Sequence, residues 1–213
     1  MDSIDRSTTA ERAAEAIRQM IWDGTVRPDD RLNQTELAQR LGISRIPLRE
    51  ALLMLAHDGL VRIEPHRGAF VEAYDEQAVQ DHYELYGLID GFALRRALNR
   101  ASLQERNALF EAMDNVVTAL DNASVSSSMR ELRDLLHRLG GSPRFRAVAK
   151  GLRPILAGDF FQTVEGSSEV TQTWLRNVLD EARAGRISEA VAQYEEMMRQ
   201  QGSLVANSRI WPK

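Results

Sequence analysis

The segment Gln34 to Leu52 constrains the fold most tightly, because it spells two short amphipathic helices separated by a Gly turn. Leu37, Ala38 and Leu41 share one face of the first helix, Ile43 closes the turn, and Leu48, Leu52 and Leu55 follow at spacings of four and three. Both helices must therefore bury one side against a common small core. Ser44 occupies an N-cap position, and Pro47 is tolerated three residues later because first-turn amides have no intrahelical partner. The second helix is predicted to begin near residue 45. Arg45 and Arg49, four apart, project together from the side opposite the leucines. A pair so placed either reads guanine O6 and N7 in a major groove or clamps phosphate, or else it is a solvated pair on an ordinary surface helix.

The next segment, Asp58 to Glu72, alternates Val61, Ile63 and then Phe70 with polar residues around Pro65-His66-Arg67-Gly68. This predicts a two-stranded hairpin packed on the preceding helices, since an isolated hairpin is barely stable in water. The expected product is a winged helix-turn-helix of three helices plus a β-hairpin wing. His66, Arg67 and Gly68 form its tip, and Gly68 lets the backbone turn tightly.

Residues 11 to 71 thereby resemble the DNA-binding domain of the GntR family of bacterial transcription regulators. The likeness runs through Ile17, Ile21, Gly24, Pro28, Leu32, Glu36-Leu37-Ala38, Leu41 to Arg45, Pro47 to Leu52, Leu55, Asp58-Gly59-Leu60 and Arg67 to Val71. It implies that Arg45 and Arg49 contact bases and phosphates and that Ser44 and Thr35 contact the backbone of double-stranded DNA. Pro47 lies in the same reading segment, and the His66-Arg67-Gly68 tip would reach the minor groove. Two departures stand out: the family usually carries Gly near Asp29 or Asp30, and Glu where Gln34 stands.

Composition bounds the rest. A hydrophobic share of 43% over 213 residues suffices for packed cores. No run of about 18 apolar residues and no charged-then-apolar leader occurs, so the expectation is a cytoplasmic protein without membrane partners. The absence of cysteine excludes disulfides, thiolate zinc sites and cysteine nucleophiles. The net charge of −4 does not favour a nucleic-acid binder, and residues 1–72 hold ten arginines against twelve acids. The DNA reading must rest on local charge: Arg40, Arg45, Arg49, Arg62 and Arg67, with His57 and His66, gather in the reading helix and wing.

From Asp75 onward the texture becomes long amphipathic segments, roughly 75–99, 102–120, 127–140, 144–164, 168–184 and 187–206, with joints at 99–102, 121–124, 140–143, 166–168 and Gly185. The chain is thus predicted to be mainly α, a winged helix-turn-helix domain over 1–72 followed over 73–213 by an all-α six-helix antiparallel bundle with room for an interior cavity. This half resembles the FCD effector-binding domain of FadR-like GntR regulators through Leu85 to Ala97, Gly141 to Phe145, Val178-Leu179, Ala184-Gly185-Arg186 and Glu189-Ala190. The resemblance implies a homodimer, which exposed apolar stripes on the first bundle helix would suit. In many members it also implies an Asp and three His that hold a divalent metal and, through it, a carboxylate effector.

Here those four positions fall on Met129, Arg133, Leu175 and Met197, none of which ligates a metal as expected. A shifted register places His137 at the first His position but leaves the other ligands missing. The expectation is therefore a metal-free pocket, without cofactor, lined by Tyr86, Asp90, Met129, Arg133, His137, Leu175 and Met197. In it the Arg133 guanidinium either pairs bidentately with an anionic effector or, if this helix presents its other face to the core, forms a surface ion pair. Tyr86 stands where an arginine is common in the family, and Asp90 where Glu is usual. Trp174, Tyr194, Met197 and Met198 either line that pocket or are plain core.

The function expected is a ligand-responsive repressor on a pseudo-palindromic operator; the alternative is a repressor whose bundle only dimerises. No nucleophile, phosphate loop or acid–base pair supports an enzyme.

Overall fold

The structure, a computed structural model, describes residues 7–22, 24–152 and 160–208. The chain divides into two compact units, the first running to Tyr74 and the second beginning at Asp75.

In the first unit α1 spans Thr9–Trp22, α2 Gln34–Leu41 and α3 Arg45–His57. Asn33 caps α2, its side-chain oxygen accepting from the Thr35 and Glu36 amides at 3.1 and 3.4 Å. Gly42 ends the helix in the left-handed region (φ 65), and the Ile43 amide then reaches back to the Ala38 carbonyl at 3.0 Å. That cap sets the corner between α2 and α3. The core beneath is Ile17, Leu37, Leu48, Ala51, Leu52, Leu55, Leu60 and Val71, so the leucine stripe of α3 is buried as its spacing requires.

The wing differs from a plain hairpin. Strands β2 (Val61–Glu64) and β3 (Gly68–Val71) are joined by β1 (Arg31–Leu32), in the order β1-β3-β2. Two residues carry no periodicity, so β1 is invisible to a pattern search. Its pairing also corrects the reading of Phe70. Val61, Ala69, Val71 and Leu32 are buried on the inner face, where Ile63 points the same way but is exposed at the strand's far end, whereas Phe70 lies opposite Arg62 and Arg31 on the other. The Arg62 guanidinium sits 5.2 Å from the Phe70 ring centroid.

In the second unit the described helices are α4 Glu76–Arg100, α5 Leu103–Val117, α6 Asn122–Gly140, α7 Pro143–Leu152, α8 Phe160–Thr163, α9 Ser167–Arg183 and α10 Ile187–Asn207. Seven helices thus stand among the described residues where six were expected. The predicted helix over 144–164 crosses 153–159, outside the described residues, and on either side lie α7 and α8. The start of α6 is a further correction: the pattern predicts a joint over 121–124 and a helix from about 127, but Asp121 accepts from the Ser124 amide at 2.7 Å and starts the helix at Asn122. Val125, Met129, Leu132 and Leu136 then repeat at four, three and four residues and are buried.

Helices α4 and α10 approach closely because α4 lacks side chains where they meet. A Cβ on Gly87 would lie 3.0 Å from that of Met198.

Candidate functional site

Arg45 and Arg49 are both exposed on the first turns of α3, opposite its buried leucines. The Arg45 Nη2 donates to the Thr35 Oγ1 at 3.3 Å, which ties the first residue of the reading helix to the first turn of α2. Ser44 occupies the N-cap with extended backbone (φ −76, ψ 168) and makes no side-chain capping bond, and no acid lies in the first turn. The amide end of α3 therefore faces outward with positive partial charge and an arginine beside it, the arrangement that receives a phosphate. Pro47 is half-buried on the same turn, and Thr35 is exposed beside it.

At the wing tip Pro65 precedes His66, which takes a left-handed conformation (φ 62), and Gly68 follows at φ 111. A non-Gly residue at positive φ is costly, and such strain collects at functional sites. His66 and Arg67 are exposed, the Arg67 side chain retaining 72% of its accessibility. The charge at the wing is smaller than a count of arginines suggests. Arg62 pairs with Asp29 at 2.7 Å and Glu64 at 3.2 Å and donates to the Val71 carbonyl, while Arg67 pairs with the other Glu64 oxygen at 2.5 Å. Arg62 is thus a strut of the sheet. Asp29 stands at φ 68, which explains why glycine suits this stretch; here the strained backbone is held by its ion pair to Arg62.

In the second unit Tyr86 and Asp90 on α4 meet Arg133 and His137 on α6. Asp90 is fully buried; its Oδ1 lies 2.5 Å from His137 Nε2, its Oδ2 accepts from the Tyr194 hydroxyl at 2.9 Å, and Arg133 Nε stands 3.8 Å from Oδ2. The guanidinium lies 5.6 Å from the Tyr86 ring centroid. Burial by itself would lower the Arg133 pKa, but Tyr86, Tyr194 and Asp90 outweigh it and leave it raised. Burial first, and then the Asp90 charge, pushes Tyr194 well up, so its phenol remains a donor.

Arg133 accordingly has an anion of its own and is no surface residue, its side chain being 15% exposed. Met129 lies one turn before it on α6, and Leu175 on α9 and Met197 on α10 are buried core residues. Pattern reading left Tyr194 open between pocket and core and missed a second buried polar chain. In that chain Gln201 Nε2 donates to Thr171 Oγ1, which donates to the Ser167 carbonyl, both at 2.8 Å. The one available signal was spacing: Thr171 and Gln201 fall four residues from Leu175 and Met197 on the same helices.

Comparison with known proteins bears on the first unit. Residues 9–71 match the family model of the bacterial regulatory proteins, gntR family. These residues form a gntR-family domain. The chain is 30% identical over 153 residues to an uncharacterized HTH-type transcriptional regulator of Mycobacterium tuberculosis, covering 72% of this chain and 63% of that protein. It is 31% identical over 102 residues to the gluconate operon transcriptional repressor of Bacillus licheniformis, covering 48% of this chain and 41% of the relative. The chain thus spans less than two thirds of the length of these curated relatives. The solved structure of E. coli McbR/YncC shares the fold with a TM-score of 0.65 at 17% identity, covering 91% of this chain and 95% of that one. These relatives are named as regulators, not enzymes.

Within the gntR-family domain, the matched stretch contains α1 to α3 and all three strands, so β1 belongs to the family unit although it has no pattern of its own. The metal site of FCD-type regulators, by contrast, does not fit this chain. Met129, Leu175 and Met197 offer no suitable donor, Asp90 and His137 are engaged with each other, and the Arg133 charge stands 3.8 Å from the carboxylate a cation would need. Among the described residues no group of three or more His, Cys, Asp or Glu converges as a metal set. No helix of the described residues is long and apolar enough to cross a membrane.

Proposed function

We propose that the chain is a cytoplasmic, one-component transcription repressor that binds a pseudo-palindromic duplex operator as a homodimer. The observation that carries this reading is the exposed Arg45–Arg49 pair at the open amino end of α3, within a gntR-family domain. The name of the Bacillus relative supports the repressor sign. A dimer places two reading helices on half-sites related by its two-fold axis. The surface best suited to a second copy is the exposed apolar stripe Leu85, Leu88 and Phe92 on α4, continued by Phe145 and Val148 on α7. Arg45→Ala should weaken operator binding by about 1–3 kcal/mol and relax sequence preference, read by fluorescence anisotropy. An equal loss on operator and random duplex would reduce Arg45 to a phosphate contact.

The bundle is read as an FCD-like sensor in which a small anionic effector, a carboxylate in the first instance, engages Arg133 without metal. Such a ligand acts only through its preference for one arrangement of the dimer, and couplings of about 1–3 kcal/mol are usual. One observation favours the second reading, a bundle that dimerises and senses nothing: Arg133 already faces the Asp90 carboxylate at 3.8 Å. A thermal-shift screen with small carboxylates and aromatic acids separates the two. Saturation at about a hundred times Kd stabilises by about 2.7 kcal/mol, a rise of several degrees in Tm. No rise with any acid selects the dimerisation module.

A further inference from the structure

Ile46, the second residue of α3, is 71% exposed, the highest value for a large apolar side chain among the described residues of its unit. The buried residues of α3 are Leu48, Ala51, Leu52 and Leu55, so Ile46 contributes nothing to the core. A branched aliphatic group at a helix start gives little to helix propensity and loses by contact with water. Its neighbours define what covers it. Arg45 precedes it, tethered to Thr35, and Arg49 follows three residues later, both exposed; the first turn carries no acid, and the exposed Glu50 lies one turn after Ile46. An apolar group next to two cationic groups on one outward helix face complements a polyanion that carries an apolar spot beside hydrogen-bonding edges. In duplex DNA the major groove presents one such spot, the C5-methyl of thymine.

From this geometry we infer that Ile46 is a specificity-determining residue that packs on a thymine methyl in each half-site, next to the base pairs facing Arg45 and Arg49. The inference rests on the DNA-binding reading above. Leaving Ile46 solvated in the free protein and covering it only on the right sequence makes the methyl a discriminating contact.

The test uses the full chain. Preferred sites are selected from random duplexes, and Kd is then measured on the selected duplex with each thymine replaced in turn by deoxyuridine, which removes the methyl and keeps the pairing edge. At one thymine per half-site uracil should weaken the wild-type protein about fourfold, the equivalent of about 0.8 kcal/mol for one buried methyl. Ile46→Ser, exposed and remote from the core, should bind the thymine duplex more weakly and show no uracil effect at that position. Uracil tolerated everywhere, or an equal effect in both proteins, overturns the role of Ile46 while specific binding stands. A chain that selects no sequence overturns the DNA-binding reading, and this inference with it.

Discussion

Asp90→Ala should destabilise the helical unit by about 3–5 kcal/mol, because it removes one member of a buried charge pair and strands the other. The carboxylate is fully buried and receives the Tyr194 hydroxyl, His137 Nε2 and the Arg133 charge. Without it Arg133 faces two phenols and an imidazole in a largely buried site, and two hydrogen bonds lose their acceptor. The 15% exposure left to the Arg133 side chain places the effect toward the lower end of that range. Asp90→Asn keeps the shape and one acceptor, so it should cost less. Urea unfolding followed by circular dichroism measures both, and a loss below about 1 kcal/mol for the alanine variant would mean that the cluster contributes little to stability.

Gly140→Ala is expected to cost at least about 3 kcal/mol, for a reason independent of charge. A Cβ at this position would lie 2.0 Å from the Ala93 carbonyl oxygen and 2.6 Å from its carbon, so the obstacle is the backbone of α4. Overpacking against flexible side chains costs about 1–3 kcal/mol; a main chain held in a helix gives way less easily. Since α4 and α6 carry the Asp90–His137 contact, separating them also stretches that bond. Gly151→Ala is the matched control: it lies in α7 with nothing among the described residues within 4 Å of the added carbon, and alanine there should stabilise by about 0.5–1 kcal/mol. Equal stability changes in the two variants would refute the close approach of α6 to α4.

The reading helix, its corner and the wing tip were legible because each rests on interactions a few residues apart. The leucine spacing of α3, Gly42 in the left-handed region and Pro65 before the tip of the turn each declare themselves locally. What escaped was of two kinds. Strand β1 and the outward placement of Phe70 depend on pairing between residues 31–32 and 69–70, too short a segment to leave a period. The α6 start was hidden because serines have low interior helix propensity, yet an Asp cap and four buried apolar residues outweigh it.

Residue types and spacings by themselves determined that this chain builds a winged helix-turn-helix with outward arginines and then a helical unit; that Met129, Arg133, Leu175 and Met197 stand at metal positions is what the resemblance to FCD domains implied. Only the tertiary structure decided which charges remain available. It spends Arg62 on Asp29 and Glu64 inside the sheet, sets Arg133 against Asp90, and leaves Ile46 uncovered beside Arg45. The reason is distance along the chain. A cap or an amphipathic face is settled within one or two turns, whereas an ion pair between residues 33 or 43 positions apart exists only once packing has brought them together, and burial then sets its strength.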